Sequence, residues 1–245
     1  MKKLIFVLMI PFFAFAYELK DLAGGINPSS DSSFINLKKT FIRTDSKTHY
    51  LRKEAAYALE KMSAAFDSYI KELNSERAKN NQKEVSIKIT VISSTRTYHD
   101  QARIWNSKWN GAYSKEKNLY KRGINILDFS SMPGTSRHHW GTDFDINSLN
   151  NSFFENGDGQ ILYTWLVVNA ARFGFAQPYT SGRTGGYQEE KWHWSYLPLS
   201  KKFLNEWNNK YSSKKDFYIL KKFSGSELFI DKAEEYVNTI SPVCL

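Results

Sequence analysis

A single cysteine, Cys244, stands beside the C-terminus of the 245-residue chain. No internal disulfide is possible, so the fold must rest on its apolar core. A thiol so isolated also argues against a thiol enzyme; it is expected to face solvent or to oxidise against another chain. The apolar run from Leu4 to Phe13 is too short to span a bilayer comfortably. No cysteine follows that run to carry a lipid anchor. No internal repeat or low-complexity stretch stands out, and no Pro- or Gly-rich linker divides the chain. Negative charge is in deficit, since 34 Lys and Arg against 25 Asp and Glu leave a formal charge of +9. Such an excess favours acidic partners, whether cell-wall polymers, anionic lipid surfaces or nucleic acid.

What is present begins with an address. Lys2-Lys3 is a basic leader, Leu4 to Phe13 its apolar segment, and Ala14-Phe15-Ala16 a small-x-small cleavage site. Residues 1–16 are therefore expected to be a cleaved secretory signal. Export to the periplasm, the cell wall or beyond follows, and it favours cell-wall or lipid partners over nucleic acid. The mature chain, 17–245, is expected to be one domain without a transmembrane anchor. It divides into an N-terminal arm (17–45) of loop composition, a motif-bearing core (46–200) and a C-terminal extension (201–245).

Within the core, Leu51, Ala55, Leu59, Met62, Phe66 and Leu73 recur at helical spacing, predicting a long amphipathic helix that ends near Asn80-Asn81. Val85, Ile87, Ile89 and Val91 alternate with polar residues, as in a half-buried strand. A helix through Trp105 and Trp109 follows, and residues 110–133 are expected to form an insertion over one rim of a cleft. Gln160 to Phe173 reads as an apolar helix closed by Gly174. Glycines 182, 185 and 186 suggest a hairpin tip, with a return strand from Glu189 to Tyr196. A basic helix (Lys201 to Lys210), a strand (Phe217 to Phe223) and a short last helix (Asp231 to Ile240) complete the pattern.

Chemistry concentrates in two stretches, 136–145 (SRHHWGTDFD) and 190–193 (EKWH). Two imidazoles and two or three carboxylates are the parts of an open zinc site, in which His, His and one carboxylate leave a position for water. A nearby carboxylate outside the ligand set can take that water's proton. His138 and Asp145 are seven residues apart, over ~20 Å on a continuous strand, so the chain must turn between them, with Gly141 as pivot. Asp143 shares a strand face with Asp145, because side chains alternate with period two. Residue chemistry alone does not choose between His138 and His139, or between Glu189 and Glu190. Arg96 leaves the end of the first strand just before a helix, where a guanidinium fork suits a carboxylate or a developing oxyanion. His99 nearby is expected to face solvent.

These stretches resemble the D-alanyl-D-alanine carboxypeptidase family of zinc peptidases, which includes the vancomycin-resistance carboxypeptidases and shares its fold with hedgehog signalling domains. The family reads Ser-x-His-x-x-Gly-x-Ala-x-Asp and Glu-x-Trp-His. Ser136, His138, Gly141, Asp145, Glu190, Trp192 and His193 match, and Asp143 stands where the family carries Ala. A third segment, Ser-x-x-Arg-Ser/Thr-Tyr-x-x-Gln, is matched at Ser93, Arg96, Thr97, Tyr98 and Gln101. The resemblance covers roughly Ser86 to Tyr196. It implies one Zn2+ held by His138, Asp145 and His193, with Glu190 as general base and Arg96 at the substrate; Gln101 and Ser136 are further substrate-binding candidates.

The fold expected is α+β, a small, mainly antiparallel sheet bearing the metal ligands, with helices packed on one side. The activity implied is hydrolysis of the terminal D-alanine bond of peptidoglycan stem peptides, D,D or L,D. The alternatives are an endopeptidase acting on cross-links and a non-catalytic wall-binding module of the same fold. A secreted nuclease has little beyond charge in its favour, and no nucleic-acid partner is expected.

Overall fold

A computed structural model describes residues 17–212 and 223–245. The leader and most of the strand expected at Phe217 to Phe223 lie outside the described residues. The chain forms strands β1 (Phe34–Asn36), β2 (Arg43–Thr44) and β3 (Tyr50–Arg52), then helix α1 (Lys53–Lys79), β4 (Thr90–Ser93), α2 (Tyr98–Asn110) and α3 (Leu119–Leu127). After these come β5 (Asp143–Ile146), α4 (Gly157–Asn169), β6 (Phe175–Ala176), β7 (His193–Tyr196), α5 (Leu197–Ser212) and α6 (Ala233–Asn238).

Five strands form one sheet in the order β2-β4-β5-β7-β6. Only the β2–β4 pair is parallel; the other three pairings are antiparallel. Strands β1 and β3 make a separate antiparallel pair. The α+β class and the mainly antiparallel sheet are as the sequence predicts. The arm is not a plain loop, because β1 and β2 belong to it and each pairs with the core. The periodic pattern at 85–91 is half correct: Val85, Ile87, Ile89 and Val91 are all buried, but ladder pairing begins only at Thr90.

The helices divide between two apolar clusters instead of lying on one side. In the first, α1 places Leu59, Met62, Phe66 and Ile70 at helical spacing against the sheet residues Val91, Phe144 and Ile146. Helix α4 adds Leu162, Trp165 and Leu166 to it. The second cluster gathers Trp105 and Trp109 of α2, Ile126 and Leu127 of α3, Phe203 and Trp207 of α5, and Tyr236 of α6. Cys244 is fully buried there, which corrects its expected exposure. Burial pushes its thiol up to about 11, leaving it un-ionised near neutrality. The Gly157-Asp158-Gly159 run starts α4. Among the described residues no helix is long and apolar enough to cross a membrane.

Strand β5 is buried along its whole length, and its alternation divides the sheet. Phe144 and Ile146 enter the first cluster, while Asp143 and Asp145 face the opposite side, where the polar residues gather. The backing of α1 thus sets the stability of the strand that carries the carboxylates. Phe66→Ala, which empties a fully buried site against Trp165, is expected to cost about 3–5 kcal/mol in urea unfolding. Val168→Ala on the exposed face of α4 is expected to stay within about 0.5 kcal/mol of the parent protein.

Candidate metal centre

Three strand positions lie side by side at the middle of the sheet, Ser93 on β4, Asp145 on β5 and His193 on β7. His138 joins them from a short 3-10 turn, Arg137–Trp140, which ends at Gly141 in the left-handed region (φ 71). A side chain at Gly141 would meet the ring of Phe34 at 2.3 Å. This residue is therefore the pivot that lets the chain double back from His138 to Asp145. The His138 carbonyl accepts from Arg96 N, pinning the turn to the end of β4.

The four atoms that matter converge. His138 Nε2 lies 3.3 Å from Asp145 Oδ2, and His193 Nδ1 lies 3.1 Å from Asp145 Oδ1. The two imidazole rings stand edge to face with centroids 4.7 Å apart. Ligand atoms of His138, Asp145 and His193 all fall within 4.8 Å of one another. The neighbours of each ring decide which nitrogen is free. His138 Nδ1 faces the Ser94 carbonyl at 2.9 Å, which can only accept, so in the neutral ring Nε2 keeps its lone pair. His193 Nε2 faces Asp143 Oδ2 at 3.0 Å, which leaves the Nδ1 lone pair toward Asp145 in the neutral ring. Asp145 Oδ1 is buried without a hydrogen bond. Lone pairs of two imidazoles and an anion aimed at one point repel each other unless a cation joins them. The residues present fit a metal ion with three protein ligands and room for a fourth.

The charges agree. Burial and the Arg96 guanidinium hold His138 down at about 4, so it is neutral near pH 7. Burial also disfavours charge on His193, but the adjacent carboxylates of Asp143 and Asp145 outweigh it and raise the ring to about 9. A proton and a metal ion therefore compete for His193 Nδ1. Burial alone would raise Asp145, yet the two histidines hold it well below the usual carboxylate range.

His139 is excluded as a ligand. Its Nδ1 is bonded to the Arg96 carbonyl at 2.8 Å, and its Nε2 accepts from Gly134 N at 3.0 Å. Both nitrogens serve the backbone. His99 is exposed in the first turn of α2.

Glu190 reaches the site because the chain turns just before β7. Glu190 N donates to Tyr179 O, and His193 N donates back to Glu190 O at 3.2 Å. The return strand thus starts at His193 instead of Glu189, and the turn carries Glu190 to the His193 side. Its Oε2 lies 3.6 Å from His193 Nδ1. Burial pushes its carboxyl up to about 8. Glu189 lies outside the cavity. That cavity, about 760 Å³, is lined among others by Arg96, Lys108, His138, Asp145, Glu190 and His193. Phe129, Ser130 and Ser131 of the 110–133 stretch form part of its wall.

Arg96 lines the cavity and donates to Ser93 Oγ at 2.6 Å and to Asp145 Oδ2 at 3.1 Å. Gln101 and Ser136 are placed differently from their expected substrate contacts. Gln101 is fully buried, accepting from Arg96 Nη1 through Oε1 and donating to the Ser131 carbonyl. It steadies Arg96 from behind. Ser136 is buried, does not line the cavity, and its hydroxyl has no hydrogen-bond partner.

Asp143, where the family pattern has Ala, meets four side chains. It orients His193, and it pairs with Arg137 Nε at 2.8 Å in a fully buried ion pair. Thr142 and Ser195 donate to its other oxygen. Arg137 is not signalled by any motif; only its adjacency to His138 could have flagged it. Asp143→Asn removes the charge that compensates Arg137, and is expected to cost about 3–5 kcal/mol in denaturant unfolding. Adding Arg137→Met should recover part of that loss. Unchanged stability in the single variant would mean that the pair contributes nothing.

A family model described as D-alanyl-D-alanine carboxypeptidase matches residues 48–199. A D-alanyl-D-alanine carboxypeptidase of Enterococcus faecalis (strain ATCC 700802 / V583) is 30% identical over 111 residues, which are 44% of this chain and 40% of that relative. The matched region thus spans well under half of the relative's length. Among solved structures, the LdcB LD-carboxypeptidase is similar at TM-score 0.49 and 21% identity, over 86% of this chain and 79% of its own. A vancomycin-resistance D,D-pentapeptidase VanY solved with Zn(II) is similar at TM-score 0.48 and 21% identity, over 68% of this chain and 83% of its own. With more than half of its residues inside the family match, and both histidine motifs within that match, the chain belongs to the VanY D-alanyl-D-alanine carboxypeptidase family.

Proposed function

We propose that this protein is a zinc-dependent carboxypeptidase that removes the terminal D-alanine of peptidoglycan stem peptides. The observation that carries the reading is the convergence of His138 Nε2, His193 Nδ1 and the Asp145 carboxylate beside a buried Glu190. Zinc(II) in the solved VanY relative supports the choice of metal. D-Alanyl-D-alanine in a second VanY structure supports the substrate class. The leader of Lys2-Lys3 and Leu4 to Phe13 supports export to the compartment where that substrate lies.

His138, Asp145 and His193 would hold the ion, with Asp143 and the Ser94 carbonyl fixing the two rings from behind. Bound there, zinc polarises a carbonyl and makes water acidic enough to ionise near neutral pH. Glu190 takes the proton of the attacking water and delivers it to the leaving amine. Burial favours the protonated carboxyl that donates to the amine, whereas His193, Arg96 and Lys108 favour the carboxylate that takes the water's proton. Arg96 points its guanidinium into the cavity from a frame of Ser93, Gln101 and Asp145, a preorganised donor for the developing oxyanion.

Two experiments test this reading. Metal analysis of the purified protein is expected to give one zinc per chain; His138→Ala should lose most of it, whereas His139→Ala should retain it. Retention in the first and loss in the second would reverse the ligand assignment. Glu190→Gln should fold, keep zinc and bind stem peptide, yet cleave at least ~100-fold more slowly by mass analysis of muropeptide products, while Glu189→Gln stays near the parent rate. A parent protein that binds stem peptides with zinc in place and never cleaves them is a wall-binding module, and the proposal then fails.

A further inference from the structure

Helix α2 turns one face to the cavity. Gln101, Ile104 and Lys108 recur on it at helical spacing; Ile104 and Lys108 line the cavity, and Gln101 is buried behind Arg96. Four Lys or Arg side chains line the same cavity. Arg96 is paired with Asp145, Arg103 with Asp100, and Lys47 lies 4.0 Å from Asp45. Lys108, among the described residues, forms no ion pair. It is half-buried, and its Nζ donates to the Ser130 hydroxyl at 2.5 Å.

A partly desolvated ammonium held only by a neutral hydroxyl is costly unless an anion completes it. Burial disfavours its charge, Glu190 supports it and Arg96 opposes it. The Ser130 hydroxyl accepts from Lys108, so its own proton is free to donate in turn. Ammonium and hydroxyl together make the donor pair that a carboxylate takes. The site is also distinct from Arg96, whose Nη2 is spent on Ser93 and Asp145.

We infer that Lys108, seconded by Ser130, is a specificity-determining residue that recognises a carboxylate of the peptide substrate. The inference rests on the peptidase reading above and adds to it a requirement for anionic peptides. That carboxylate has two sources, the α-carboxylate of the leaving residue or an acidic side chain upstream of the scissile bond. Lys108 lines the same cavity as Glu190, the group that serves the leaving amine, which favours the first.

The test uses a peptide ending in D-alanine with one acidic residue upstream, in three forms: both carboxylates free, the C-terminus amidated, or the acidic side chain amidated. KM and kcat are measured on the zinc-loaded protein, and binding to the metal-free protein is followed by tryptophan fluorescence. Lys108→Met should raise KM and Kd about tenfold or more for the free peptide, with kcat nearly unchanged. It should cause no further loss on the one amidated form that lacks the recognised carboxylate, and this identifies the source. Lys108→Arg should restore most of the affinity, and Ser130→Ala should give a smaller loss of the same pattern. Equal weakening of all three forms by Lys108→Met, or a fall in kcat at constant KM, overturns the inference in favour of a role in the Ser130 loop or on Glu190. If the parent protein cleaves none of the peptides but binds them with the Lys108-dependent pattern, the peptidase reading fails and this inference stands. Neither cleavage nor binding by the parent protein overturns both.

Discussion

Two carboxylates two residues apart on one buried strand are the constraint to which the rest of the molecule answers. Asp143 and Asp145 share a face of β5 and are almost completely buried. Uncompensated, each would cost several kcal/mol in lost hydration. Each is answered by cations and donors brought from different parts of the chain: Arg137 and His193 at Asp143, Arg96, His138 and His193 at Asp145. Arg137 comes from the 3-10 turn, Arg96 from the end of β4, and His193 from β7 directly opposite Asp145. The topology that satisfies the carboxylates is the same one that gathers the ligand atoms.

Rigidity at that point comes from the other face of the sheet. Phe144 and Ile146 alternate with the carboxylates and are held by α1 and α4. The second cluster, built from α2, α3, α5 and α6, supports the structures that surround the site. Trp140, at the end of the His138 turn, packs in it, and so does Tyr179, which lies against His193 with ring centroids 4.8 Å apart. The C-terminal residues through Cys244 pack in this same cluster as Trp140 and Tyr179, although they carry none of the site's chemistry.

The long helix, the helix through Trp105 and Trp109, and the closure at Gly174 could be read in the sequence because apolar periodicity and turn residues are local signals. The sheet order could not, since pairing β2 with β4, or β5 with β7, depends on contacts remote in sequence. The arm shows this: Arg43 and Thr44 look like loop, and become strand only because β4 offers an edge. The ligand set was legible through motif spacing, whereas the reason for it is tertiary. Nothing in the order His138-His139 reveals that Gly134 and Arg96 occupy both nitrogens of the second ring. Cys244 misled for the same reason, because proximity to a terminus says nothing of what α5 and α6 cover. Lys108 was overlooked although its spacing from Gln101 places it on the same helix face; a lysine on a helix reads as solvated until its burial is seen.

Asp143 explains how this chain departs from the family's pattern and still orients His193. A metal-bound imidazole needs a partner on its other nitrogen to fix ring and tautomer. His138 finds a backbone carbonyl, which any residue at position 94 would supply. His193 instead finds a side chain, so its orientation depends on the identity of residue 143. A carboxylate there is a stronger acceptor than a carbonyl, but it brings a buried negative charge that the Ala of the family motif does not. Arg137, immediately before the first ligand and 2.8 Å from that carboxylate, balances it, with Thr142 and Ser195 donating to the remaining oxygen. The departure at Asp143 is therefore coupled to Arg137. Exchanging Asp143 for Ala alone would leave a buried guanidinium without its counter-charge and His193 without its orienting acceptor.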